Sequence, residues 1–209
     1  MSGRPLVSVL TPTWERHELL LGAIETVRAQ TYRPLEHVVV IDGPTDHRSM
    51  LTAESAALEA ALSEQPTLRY VSLGRNWSTF LPDCYAAAPM TVAMLLARGE
   101  YQCWLADDER MGPDHVERLV ELVEAEGADF AYSRVQMYRA DGSSWVIGRY
   151  PPALGEITHA LYRAEVLKLG LYVFGDDRTS DWATISRWQS RGARAAFLDR
   201  VTMTHRVDR

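Results

Sequence analysis

The chain has 209 residues, 46% of them hydrophobic, with 28 acids against 22 bases and a formal charge of -6. That is enough apolar chain for a single domain with its own core, so 1–209 is read as one unit. The net acidic balance argues against nonspecific binding to nucleic acid or to an anionic membrane, although one metal ion and a few arginines can still balance a diphosphate locally.

Leu6 to Leu10 has the character of a short buried strand ending at Thr11-Pro12-Thr13. Helical apolar spacing follows over Glu15 to Gln30, through Leu19, Leu20, Ala23, Ile24 and Val27, and Pro34 stops it. His37 to Ile41 is a dense β-branched run broken by Asp42-Gly43-Pro44. A second helix is expected through Leu51, Leu58, Ala61 and Leu62, a third strand at Leu68 to Leu73, and a third helix from Pro89 to Arg98. Tyr101 to Leu105 reads as the fourth strand, running into Ala106-Asp107-Asp108-Glu109. Gly112-Pro113-Asp114 then opens a helix, with proline at a tolerated first-turn position and acids near the positive end of the dipole. The second half is less regular. A hairpin is expected between Asp129 to Tyr138 and Ser144 to Ile147, a short helix over Ala164 to Lys168, another from Ser180-Asp181, and a last strand at Ala195 to Leu198.

Cys84 and Cys103 sit in apolar surroundings with no CxxC pair or histidine at ligand spacing, so both read as core thiols suited to a reducing cytoplasm. No apolar run reaches the ~20 residues of a membrane span, and the first residues lack a signal-peptide core. Lys168 is the only lysine, a bias that fits a GC-rich bacterial genome.

The repeated alternation of strand and helix predicts an α/β fold, a mostly parallel sheet with helices on both faces. Such folds bind ligands outside the carboxyl ends of the strands. The polar segments at Thr11 to Arg16, Asp42 to Asp46 and Asp107 to Glu109 each follow a strand and are therefore expected on one edge. Clustered carboxylates at a strand end repel each other. A hard divalent cation, Mg²⁺ or Mn²⁺, relieves that repulsion and can bridge two phosphate oxygens. A solvated acidic turn is the rival reading of the same residues.

Three segments carry a resemblance to a known family. Leu6-Val7-Ser8-Val9-Leu10-Thr11-Pro12-Thr13-Trp14-Glu15-Arg16 resembles the opening strand and loop of family 2 glycosyltransferases. Val38-Val39-Val40-Ile41-Asp42-Gly43-Pro44-Thr45-Asp46 is similar to their second strand and Asp-Gly-Ser-Thr-Asp loop, and Gly99-Glu100-Tyr101 with Leu105-Ala106-Asp107-Asp108 resembles the segment of their DxD-type metal motif. The second half matches more loosely, at Leu161-Tyr162-Arg163 and Asp181-Trp182.

The resemblance implies a GT-A fold with a Rossmann-like nucleotide-binding half (about 1–110) and a mixed acceptor-side half (about 111–209). It implies transfer from a nucleotide diphosphate-sugar to an acceptor hydroxyl with inversion, helped by Mn²⁺ or Mg²⁺. A UDP-sugar is the favoured donor, with GDP- and dTDP-sugars as alternatives, and the acceptor is left open. The donor contacts it implies are Thr11, Pro12, Thr13, Trp14, Arg16, Asp42 and Asp107, with Arg75 and Arg163 as candidate diphosphate partners. Asp108 is the implied direct metal ligand, Asp107 faces ribose or metal, and His205 is a candidate third ligand. Asp181 is the implied general base, with Asp176 and Asp177 as rivals close in sequence. The chain departs from the family pattern at Ala106, Ile41 and Pro89-Met90-Thr91, which bears on donor identity.

Plainer roles stand beside these. Trp14 can simply pack on the first helix, Asp42 can form a turn, and Asp181 can favour its helix terminus behind a Ser180 cap. His205 can be a surface histidine, His159 a satisfied buried one, and Arg75 and Arg163 solvated. Among whole-chain alternatives, an inactive nucleotide-binding or scaffold module keeps the acids without turnover. A sugar nucleotidyltransferase needs a glycine-rich basic loop, which Thr-Pro-Thr-Trp-Glu-Arg is not. Oligomeric state is open, a homodimer among the options.

Overall fold

The computed structural model describes residues 3–43, 67–80, 86–172 and 180–207. The helix expected across 51–62, the loop residues Pro44, Thr45 and Asp46, Cys84, and the rival bases Asp176 and Asp177 lie outside the described residues.

The sheet is built outward from β1 (Val7–Thr13), a strand buried along almost its whole length. β2 (Leu35–Ile41) lies parallel on one side of it, and β3 (Leu68–Ser72) lies parallel beyond β2. β4 (Tyr101–Trp104) lies parallel on the other side of β1. Strand order therefore reverses at β1, and a crevice is expected where β1 and β4 end. Past β4 the sheet becomes mixed. β8 (Leu161–Arg163) is antiparallel between β4 and β6 (Phe130–Tyr138), and β9 (Ala195–Arg206) runs parallel to β6. β5 (Glu109–Met111) closes the order antiparallel to β9, and β7 (Ser144–Ile147) forms a hairpin with β6.

Two apolar clusters cover the two faces. On one, Val7, Val9 and Val135 pack with Ala23 and Val27 of α1 (His17–Arg28) and with Val116, Leu119 and Val123 of α4 (His115–Glu126). On the other, Leu10, Val38, Trp104 and Tyr132 pack with Met90 and Met94 of α3 (Ala87–Leu96) and with Ile185 and Trp188 of α5 (Ser180–Ser190). A four-residue helix, α2 (Trp77–Phe80), follows β3. No described helix is long and apolar enough to cross a membrane.

Among the described residues the expected elements are found, with three kinds of difference. β1 continues through Pro12 to Thr13 instead of ending at Leu10. Proline breaks a central strand when its missing N–H is needed by a neighbour. Here Leu10 accepts from Leu105 on the β4 side, and β4 pairing stops at Leu10, so the nitrogen of Pro12, of the same parity, points to the side where β1 has no paired β4 residue. β5, β8 and α2 are three or four residues long, too short to leave a periodic signature. β9 is 12 residues rather than four, its pattern hidden by exposed Asp199 and Arg200 and by register shifts against Ser133 to Val135.

Candidate active site

β1 and β4 deliver their last residues to the same edge. Thr13 ends β1, and its hydroxyl donates to Asp107 Oδ2 at 2.8 Å, across 94 residues of sequence. The chain then turns through Glu15, which has a positive φ of 50°, a left-handed conformation uncommon outside glycine. Arg16 follows at the start of α1, with no capping hydrogen bond from its side chain. Its guanidinium donates to Asp107 Oδ1 at 3.1 Å and lies 3.8 Å from Asp108 Oδ2. Arg110 reaches the same loop from below, donating to the carbonyls of Asp107 at 3.0 Å and Glu109 at 2.7 Å.

The acids differ in environment. Asp107 is 3% exposed, and burial raises its carboxyl above the ordinary range against the pull of Thr13 and Arg16. Asp108 is pushed up to about 6, by burial first and by Glu109 and Asp107 beside it, with His205 and Arg16 opposing. Glu109 is wholly buried, which alone would raise it. A hydrogen bond and charge from His205 outweigh that and hold it below the usual range. His205 sits across from Glu109 in the β5–β9 pairing, its Nδ1 3.2 Å from Glu109 Oε1. Burial lowers the imidazole, but Glu109, Asp108 and Asp181 together raise it.

Asp181 stands in the first turn of α5 and accepts from the Trp182 N–H at 2.7 Å. Burial lifts its carboxyl to about 6, with Glu109 adding to the rise and His205 opposing it. The β5–β9 pairing sets the late strand beside the acidic loop, and Asp181 on α5 is near enough for Glu109 and His205 to act on its carboxyl.

Asp42 and Trp14 mark the other flank. Asp42 is 2% exposed, and its carboxylate accepts from the backbone N–H groups of Trp77 (2.8 Å) and Ser78 (3.1 Å) and from the Ser78 hydroxyl (2.6 Å). Asp42 thus ties the β2 end to α2. The signal that could have found α2 is Asn76, whose side chain caps Thr79 at 2.6 Å. Trp14 is 44% exposed, and its indole edge lies over Gly43, where a Cβ would come within 3.2 Å of it. Arg75 is exposed on the same flank, its guanidinium over the rings of Trp77 and Phe80.

Other expected residues fall outside this edge. Thr11 is fully buried with its hydroxyl on His37 Nε2 at 2.9 Å, so it supports β1 from beneath. Pro12 lies in the strand beside Val40. Arg163 is a correction: it pairs with Tyr101 at the opposite end of β4 and bonds the Ala128 carbonyl, far from any diphosphate at the Asp107 edge. His159 is fully buried; its Nε2 accepts from the Ser133 N–H at 3.2 Å, while its Nδ1 has no hydrogen-bond partner among the described residues, so it is buried without being fully satisfied. Glu109 and Arg110 are the residues for which sequence reasoning had no individual role.

Among the described residues, no group of three or more His, Cys, Asp or Glu side chains is placed so that it could hold a metal ion by itself. The donors present fit an open site instead: Asp108, a buried carboxylate whose ionisation is costly without a nearby cation, with His205 close by. Mg²⁺-type ions are commonly held by one or two carboxylates, with substrate phosphates and water completing the shell.

Comparison with known proteins places this geometry in a family. The family model described as Glycosyl transferase family 2 matches residues 8–168. WcaA of Escherichia coli (strain K12), a protein named for colanic acid biosynthesis as a glycosyl transferase, is 28% identical over 116 residues, 56% of this chain and 37% of WcaA. Staphylococcus aureus TarS 1-349, solved in complex with UDP-GlcNAc, superposes with a TM-score of 0.72 at 16% identity over 96% of this chain and 58% of that one. The mannosyltransferase PcManGT of Pyrobaculum calidifontis, solved with GDP-Man and Mn²⁺, gives 0.69 at 20% identity over 98% and 57%. The chain thus spans little more than a third of WcaA and under two thirds of either solved structure. These neighbours share the GT-A architecture, the fold expected from the sequence. With the family model spanning most of the chain and the acids of its motif gathered at the β1–β4 edge, the chain belongs to glycosyl transferase family 2.

Proposed function

We propose that this domain transfers a sugar from a nucleotide diphosphate donor to an acceptor hydroxyl by a single inverting displacement. The observation that carries the reading is the meeting of Thr13, Arg16, Asp107 and Asp108 at the reversal of strand order, with Asp181 electrostatically coupled to the same cluster. The donor half is about 1–110 and the acceptor half about 111–209. Nucleotide-sugar complexes of two structural neighbours support the donor class: TarS with UDP-GlcNAc and PcManGT with GDP-Man.

The base would lie on the Trp14–Asp42 flank, where an exposed indole offers a stacking face. Arg16 leaves its bond to Asp107 to meet the diphosphate, since a guanidinium fork matches phosphate oxygens. Mn²⁺ or Mg²⁺, held by Asp108 with Asp107 and His205, would offset charge on the leaving diphosphate. Asp181 accepts the proton of the attacking hydroxyl. Its carboxyl, lifted to about 6 by burial, is a stronger base than a solvated aspartate and still ionised at neutral pH. A UDP-sugar is the favoured donor and GDP- and dTDP-sugars the alternatives. The setting we propose is cytoplasmic.

Asp181→Asn tests the chemistry. Turnover with a donor from a UDP-, GDP- and dTDP-sugar panel falls by about 10²-fold or more, while donor binding stays near wild type. Wild-type turnover in the variant removes Asp181 from the role.

A further inference from the structure

Glu109 is the one acid of Asp107-Asp108-Glu109 that the proposed reaction does not use. It is fully buried, an expensive place for a carboxylate unless both oxygens are satisfied. They are: Oε2 accepts the Ala106 N–H at 3.0 Å, and Oε1 faces His205 Nδ1 at 3.2 Å. Glu109 and His205 are directly opposed in the β5–β9 pairing, so backbone hydrogen bonds fix the spacing of the two side chains. The carboxylate is acceptor-only, so Nδ1 must carry a proton, and once the ring gives up its second proton, as binding a cation requires, Nε2 holds the lone pair. The other charged groups facing His205 are Asp108 and Asp181.

We propose that Glu109 is a positioning residue that locks His205 in the Nδ1–H tautomer and presents Nε2 as a ligand to the cation at Asp108. This rests on the metal-assisted reading above. It adds that the third acid acts on the metal only through the imidazole, as carboxylate partners of metal-bound histidines generally do. β9 then does more than close the sheet: its pairing with β5 carries the ligand orientation from the acidic loop to the far end of the sequence.

Two measurements on the full chain test it. The first needs no metal: long-range ¹⁵N–¹H NMR of imidazole-labelled protein, with His205 assigned through His205→Gln. The expected result, at a pH high enough for the ring to be neutral, is an Nδ1–H tautomer in wild type. An Nε2–H tautomer overturns the proposal whatever the variants do. The second is Mn²⁺ affinity by electron paramagnetic resonance, with UDP and separately GDP present, in wild type, Glu109→Gln, His205→Ala and the double variant. Glu109→Gln and His205→Ala each weaken Mn²⁺ by about 10–100-fold, and the double variant is no weaker than His205→Ala alone. Additive losses, or wild-type affinity in Glu109→Gln, overturn it. Failure of wild type to bind Mn²⁺ with either nucleotide instead sinks the metal-assisted reading itself, while the tautomer measurement still judges the Glu109–His205 lock.

Discussion

Gly22 lies on α1 where any added Cβ would overlap the Arg110 guanidinium. Arg110 uses that gap to hold the Asp107 and Glu109 carbonyls, so a glycine on a helix face shapes the acidic loop. Gly22→Ala gains about 1 kcal/mol of helix propensity. It also displaces a guanidinium whose charged hydrogen bonds are worth about 1.5–3 kcal/mol. The gain offsets only part of that, so urea unfolding is expected to show a net loss of about 0.5–2 kcal/mol, while nucleotide affinity in Mn²⁺ falls clearly. Arg110→Gln should weaken the nucleotide without the helix gain. Unchanged affinity in both would remove Arg110 from the loop's support.

His37 supplies a pH test away from the site. It is fully buried against Thr11, and desolvation drops its pKa to about 3, so the folded protein keeps it neutral. The unfolded chain protonates it below about 6.5, so its contribution is complete above that pH and is lost as pH falls toward 3, at about 1.4 kcal/mol per unit. Asp108 and Asp181 act in the opposite sense. Their raised pKa values favour the fold as pH drops through about 6. Wild type alone therefore mixes signs, and the comparison with His37→Gln isolates the histidine. The variant is less stable at pH 7, and the gap closes as urea melts move from about pH 6.5 to 4.5. A gap independent of pH would show that His37 does not stay neutral in the fold.

At the scale of elements, Trp188 is the largest of the buried side chains that anchor α5. Trp188 is fully buried, donates its indole N–H to the Gly170 carbonyl at 2.8 Å, and packs on Trp104 and Tyr162. Trp188→Ala removes a large core side chain and should cost about 3–5 kcal/mol by urea unfolding. Because α5 carries Asp181, transfer should suffer more than donor binding, and equal losses in both would argue that the helix does not position the base. The sequence marked most elements whose apolar pattern is long enough to repeat: α1, α4, β2, β4 and the β6–β7 hairpin. β5, β8 and α2 were invisible because three or four residues hold no period, yet β5 sets Glu109 and α2 occupies Asp42. The acidic edge was legible because carboxylates ending an apolar strand are conspicuous. The Glu109–His205 pair was not, since 96 residues separate its members and only the β5–β9 register joins them.

At the scale of the molecule, one sheet serves two tasks. Its parallel part ends at Thr13, Asp42 and Asp107, and its mixed part brings β9 to the same edge through pairing with β6 and β5. On the proposed function, donor binding draws on β1, β2 and β4, and transfer also on α5. The chain covers only part of the length of its relatives. The central claim is that the edge holds a nucleotide diphosphate through a cation on Asp108. Isothermal titration of wild type and Asp108→Ala with UDP and with GDP, each with and without Mn²⁺, tests it most directly. The account predicts saturable binding of one nucleotide that requires both Mn²⁺ and Asp108, with an affinity loss of about tenfold or more when either is removed. Equal binding with and without Mn²⁺, or undiminished binding by Asp108→Ala, would contradict it.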